Sequence, residues 1–204
     1  MSTMSTSERS TYHHGNLRPA LIAAARALLD EGGPAAVGLR EAARRVGVSP
    51  TATYRHFRDK DDLLAAVAAE GFREFAAALA RAGRESFSAM GAAYVDFALK
   101  QPGMFRLMFS PLFAKRELCP DLKGAAEEAF VVLRRGVQSG AGEGQGQGED
   151  VDAAAIAAWS LVHGLSHLIL DGVLPKESAE AFKQAILSPP KGAPDLSQFT
   201  APGR

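Results

Sequence analysis

The chain has little cysteine, few aromatic residues and no net charge. Cys119 is the single cysteine among 204 residues, which excludes an internal disulfide and a cysteine-based zinc site and fits a reducing cytoplasm. Aromatic residues make up 7%, most of them Phe, with one Trp. No apolar run approaches the roughly 20 residues of a membrane span, so no membrane partner is expected. The first eight residues lack the apolar core of a secretory signal, and residues 1–15 read as a flexible arm. Runs with period-two alternation are missing, so strands are not expected. Also missing are Gly-x-Ser-x-Gly, a phosphate loop and His-Glu-x-x-His. Ser166 precedes His167 directly, and on a helix such neighbours point apart. No catalytic residue and no cofactor are expected, and an enzyme is the weaker alternative.

The zero charge conceals an asymmetry. Residues 1–60 hold nine Lys or Arg against five acids, a net +4, and the remainder is −4. A basic head on an acidic body suits a partner such as DNA.

What the chain does contain is helical spacing. Leu17, Leu21, Ala24, Ala25 and Leu28 mark one face of a first helix, with Asn16 as its cap and Gly32-Gly33-Pro34 as its stop. Leu39 to Val46 predicts a second helix, ended by Gly47. Ser49 and Pro50 stand at the cap and first turn of a third, running to about His56-Phe57. Asp59 opens a long fourth helix to about Ala82. Further helices are expected at 86–100, 102–109, 121–138, 152–170 and 178–187, about nine in all. Ser139 to Asp150 is Gly-rich and reads as a flexible loop. The fold class is therefore all-α. The expected organisation is an arm (1–15), a helix-turn-helix domain (16–60), a larger helical domain (61–190) and a flexible tail (191–204).

A turn at Gly47 between two short helices would present the third helix to a DNA major groove. Thr51 and Thr53 offer hydroxyl or methyl contacts, and Ala52 can meet a thymine methyl. Ser49 and Pro50 open the helix. Tyr54, Arg55 and His56 suit phosphates or an Arg–guanine pair, and Arg40 either role. Lys60 joins a cation to the free N–H groups that begin the fourth helix. Phe57 reads as core.

At these residues the chain resembles the TetR family of transcriptional regulators. The resemblance is carried by Gly47-Val48-Ser49, Tyr54, His56-Phe57, Lys60 and Leu63-Leu64, with Arg40-Glu41-Ala42-Ala43 matching the second helix. Many members carry Thr or Ser where Gly38 stands, and Gly-Thr-Leu where Thr51-Ala52-Thr53 stand. Tyr12-His13-His14-Gly15-Asn16-Leu17-Arg18, the Gln101–Phe109 segment and Trp159…His163-Gly164 are similar to a subgroup with a Trp…His-Gly C-terminal domain. The resemblance implies a two-domain helical homodimer. Such a protein is usually a repressor released from a palindromic operator by a small molecule. A helical regulator controlled by a partner protein is the alternative.

The second domain holds side chains suited to an adaptable apolar pocket: Phe72, Phe75, Tyr94, Phe97, Met104, Phe105, Met108, Phe109, Phe113, Phe130, Trp159 and His163. Any one of them alone would be ordinary core. The segment 104–113, a short helix between prolines, is the expected pocket wall, and a hydrophobic or aromatic effector the expected ligand. Small residues near Gly164 permit close helix approach. The expected dimer interface is Ala157, Ser160, Gly164, His167, Leu168, Phe182 and Ile186. His163, His167 and Asp171 recur every four residues and can be written as a metal site, but such polar spacing is common on helices and no metal is expected.

Overall fold

A computed structural model describes residues 17–114, 117, 119–140 and 149–187. The side chains of residues 113, 140, 149, 150 and 186 fall outside that description, as do the arm, Asn16 and the tail. The chain divides into two compact units, with the boundary between Leu63 and Leu64. Among the described residues there are ten α-helices and no strand.

The first unit contains α1 (Leu17–Ala36), α2 (Leu39–Val46), α3 (Pro50–Thr53) and the start of α4 (Lys60–Ala82). The apolar face of α1 buries Leu21, Ile22, Ala25, Leu28 and Leu29, and its regular dihedrals fail at Gly32 and Gly33 before one further turn. Val37, Leu39, Ala42, Ala43, Phe57 and Leu63 complete this core, with Arg18 lying over the Phe57 ring at 5.2 Å. Helix α2 ends as expected at Gly47, whose φ of 77° is a left-handed conformation that a Cβ would strain. There the Val48 N–H returns to the Ala43 carbonyl at 3.0 Å. The Asp59 carboxylate accepts from the Asp62 N–H at 2.8 Å, capping α4.

Two local expectations are corrected. Helix α3 is a single turn, closing at Thr53 rather than at His56-Phe57. Ser49 has extended backbone but makes no side-chain cap bond.

The second unit comprises the rest of α4 with α5 (Phe87–Lys100), α6 (Pro102–Met108), α7 (Pro111–Ala114), α8 (Pro120–Gly140), α9 (Glu149–Leu170), a 3-10 turn at Lys176–Ser178 and α10 (Ala179–Leu187). Helix α5 is central, packing on α6, α8, α9 and α10. The Ser86 hydroxyl caps it by accepting from the Ala89 N–H at 2.9 Å. Helix α10 is tied to α5 through Lys183, whose ammonium reaches Asp96 and Glu180 at 2.6 Å each. Burial works against that charge, but the two carboxylates hold it above its ordinary range.

The α7 turn was not expected from the sequence. The Gly-rich segment also begins later and ends earlier than its composition suggests: α8 continues through Gly140 and α9 starts at Glu149, while residues 141–148 lie outside the described set. Contrary to the expectation about apolar runs, Val151–Leu170 is long and apolar enough to cross a membrane by length and composition. Within this unit it is a bundle helix, burying Ala155, Val162, Leu165, Ser166 and Ile169.

Candidate DNA-binding face and internal cavity

Helix α3 displays its residues unequally. Ser49, Pro50, Thr51, Tyr54 and Arg55 are exposed, Ala52 and His56 are half-buried, and Tyr54 keeps 56% of its surface in water. Thr53 is the exception. It is fully buried, and its hydroxyl donates to the Pro50 carbonyl at 2.6 Å. On a one-turn helix, position 53 faces inward beside Phe57, whose N–H bonds the Thr53 carbonyl, so Thr53 is removed from the DNA-facing set.

The cations around this helix also divide. Arg44 is paired with Glu41, Arg45 with Glu31, and Arg58 with Asp62. Arg40 and Arg55 are exposed and, among the described residues, belong to no ion pair. Lys60 is exposed at the first residue of α4, its Nζ 3.5 Å from the Ala35 carbonyl. Arg40, Arg55 and Lys60 are thus the charges left for an anionic partner.

In the second unit a cavity of about 560 Å³ is walled by α4, α5, α8 and α9 together with Phe109. Phe72, Phe75, Tyr94, Phe109, Phe130 and Trp159 surround it, joined by Leu79, Leu133, Ile156 and the carboxylate-bearing Glu127. The rings meet edge to face, Phe75 with Tyr94 at 4.9 Å and Phe72 with Phe109 at 5.5 Å. One polar line runs along this wall. The Trp159 Nε1–H donates to the Tyr94 hydroxyl at 2.8 Å, and Tyr94 Oη lies 2.8 Å from His163 Nδ1. Indole nitrogen can only donate, so Tyr94 accepts from Trp159 and its own proton is available to His163 Nδ1 when the imidazole carries its proton on Nε2. Burial, then the neighbouring His167, push His163 down to about 4, which keeps the ring neutral. Burial likewise raises the Tyr94 phenol, against the Trp159 hydrogen bond, so it stays protonated.

The remaining expected pocket residues lie elsewhere. Phe97 on α5 is buried core, as are Met104, Phe105 and Met108, because α6 turns Met104, Phe105, Leu107 and Met108 into the bundle and leaves Arg106 outside. His163 stands behind Tyr94 and not on the cavity surface. Phe113 lies outside the described side chains, so Phe109 alone represents the 104–113 segment in the described wall. Sequence reasoning missed Leu79, Leu133, Ile156 and Ala126, whose helical spacing does not separate a cavity wall from a core.

Arg106 donates to Asp171 Oδ1 at 2.6 Å and to the Leu170 carbonyl at 2.9 Å, and His167 Nδ1 lies 3.8 Å from Asp171 Oδ2. The half-buried His167 ring lies 5.5 Å from the Phe105 ring. Along the outer side of α9, Ser160, Gly164 and Leu168 are exposed and Ala157 is half-buried. Phe182 is half-buried on α10, and the Ile186 side chain lies outside the described set.

A helix-turn-helix unit joined in sequence to a helical unit with an aromatic cavity defines a two-unit, all-helical class of protein, and comparison with known proteins gives the family. Residues 21–67 match the family model for bacterial regulatory proteins of the tetR family, and residues 87–188 match the tetracyclin repressor-like C-terminal domain. The chain belongs to the TetR family of transcriptional regulators. A search of curated proteins gave no match. Among solved structures, it is similar to a Rhodococcus protein of unknown function, at 28% identity over 87% of this chain and 98% of that one, with a TM-score of 0.68. It shares the fold of PfmR from Thermus thermophilus, with 24% identity, coverage of 82% and 96%, and a TM-score of 0.51. It also shares the fold of RolR, solved with resorcinol, with 22% identity, coverage of 85% and 86%, and a TM-score of 0.59.

Proposed function

We propose that this regulator binds a palindromic operator as a homodimer and is released from it by a small apolar effector held in the 560 Å³ cavity. The observation that carries the reading is the single helix α4. It begins with Lys60 and carries Phe72, Phe75 and Leu79 of the cavity wall further along. A ligand pressing on those rings acts on the helix that starts at a phosphate-binding cation. That RolR holds resorcinol in the same fold supports a ligand of aromatic character.

On the DNA side, Thr51 and Ala52 meet base edges, Ser49 and Pro50 approach the backbone, and Tyr54, Arg55, His56, Arg40 and Lys60 hold phosphates. The outer row of α9, with Phe182 and Ile186 of α10, meets a second copy. The regulator works in the cytoplasm, and its role is regulatory rather than catalytic.

A gel shift on DNA upstream of the coding region tests this. Binding should weaken steeply with salt, and Arg55→Ala or Lys60→Ala should each flatten the salt slope by about one unit. Equal binding by wild type and both variants would remove α3 and α4 from the interface. An aromatic ligand that binds the protein without altering operator affinity would refute the release step.

A further inference from the structure

A second, smaller cavity of about 260 Å³ lies beside the first. Leu79, Tyr94 and Leu133 line both, so one layer of side chains divides them. Ser88 is the one polar side chain in the rest of its described wall, beside Phe87, Met90, Ala158, Leu161, Val162 and Leu187. We propose that the two cavities form one extended site. An aromatic or polar-headed group occupies the larger, and an unbranched apolar tail of the same molecule passes the divider into the smaller. This rests on the effector reading above and specifies the ligand class: a molecule with a compact head and a linear hydrocarbon chain.

The divider is unequally fixed. Tyr94 is held at its hydroxyl by Trp159 and His163 and at its ring by Phe75 and Phe105. Leu79 and Leu133 are aliphatic and can change rotamer without losing a hydrogen bond. Tyr94 is therefore the fixed post and the two leucines are the gate.

Beyond the gate, Met90 is the movable wall. Its terminal methyl occupies the places where a Cβ on Gly83 or Gly136 would stand, 2.4 and 2.5 Å from those positions. Two residues without side chains thus make room for a flexible thioether, the side chain best able to repack around a tail. Leu187 closes the far side over Gly91, where a Cβ would lie 2.5 Å from its Cδ2. The Lys183–Asp96 pair, joining α10 to α5, holds that closure in place.

Binding of a 4-n-alkylphenol series, from ethyl to decyl, measured by titration calorimetry, tests the proposal. In the wild type, affinity should rise roughly fourfold per methylene well beyond the shorter members, as expected for burying each methylene. Ala158→Leu, which fills the smaller cavity, should leave the short members bound as before and abolish the gain for the long ones. Leu133→Ala, which opens the divider, should favour the long members; it serves as a second arm should Ala158→Leu fail to fold. A series that stops gaining at the same short length in wild type and Leu133→Ala would overturn the extended site while leaving the effector reading intact. Undiminished long-chain binding in folded Ala158→Leu would do the same. No binding by any member would overturn both.

Discussion

Thr51 and Thr53 stand two residues apart on one helical turn, yet their hydroxyls do different work. Thr53 spends its donor on the Pro50 carbonyl inside the first unit, whereas Thr51 faces water. Thr53→Val should therefore cost about 1 kcal/mol in denaturant unfolding, with operator discrimination retained. Thr51→Val should leave stability within about 0.5 kcal/mol and change base preference in a binding-site selection. His163 gives a second residue-scale expectation. Its ordinary value is 6.5 and the folded protein holds it near 4, so the unfolded chain takes up the proton first on acidification. Stability should be full above pH 6.5 and fall as pH drops from there to about 4. The loss is roughly 1–2 kcal/mol after solvent screening of a half-buried ring. His163→Gln should lose this component in a thermal melt series across that window. At this scale the sequence revealed which residue types gather at the site but not which way they point. Thr53 and Met104 carry the right chemistry in the right segments, and only the helix phase shows that both face inward.

Element boundaries were far more legible, because capping is local chemistry. Gly47 and Asp59 announce their roles by residue type alone, and each performs the expected one, whereas Ser86, expected as the first residue of a helix, is the cap before it. Ser49 shows the limit: the residue type fits a cap, yet the Ala52 N–H goes to the Ser49 carbonyl at 3.0 Å and the hydroxyl makes no cap bond. The α7 turn was illegible for a related reason, since four residues give too short a window for periodicity. Gly47→Ala isolates a backbone effect, because nothing lies within 4 Å of the added methyl. The left-handed conformation alone should cost about 1–2 kcal/mol, seen as a lowered denaturation midpoint. At the other end of the chain, Lys183→Ala removes the charge that ties α10 to α5. Hydrogen exchange should quicken through Ala179–Leu187, with a stability loss on the order of 1–3 kcal/mol given that Asp96 and Glu180 are partly solvated.

Over the whole molecule, the fold class and family were readable because helical periodicity and one compact motif carry them. The cavity was only half readable. Its aromatic residues stand out in composition, but the gaps between helices that leave space beside Leu79 and Leu133 arise from long-range packing of α4, α5, α8 and α9. The proposed dimer is the assembly-level expectation. Leu168→Glu placed on the exposed row of α9 should yield a monomer in sedimentation analysis, with the same helix content and strongly weakened operator binding. The placement of Trp159 has a further, optical consequence. It is the only tryptophan in the chain, it lines the cavity, and its N–H is bonded to Tyr94. Fluorescence excited at the red edge of protein absorption comes from that one indole, with no other indole signal to subtract. A molecule entering the cavity changes the polarity and quenching around this single emitter, so the protein carries its own calibrated, label-free reporter of occupancy.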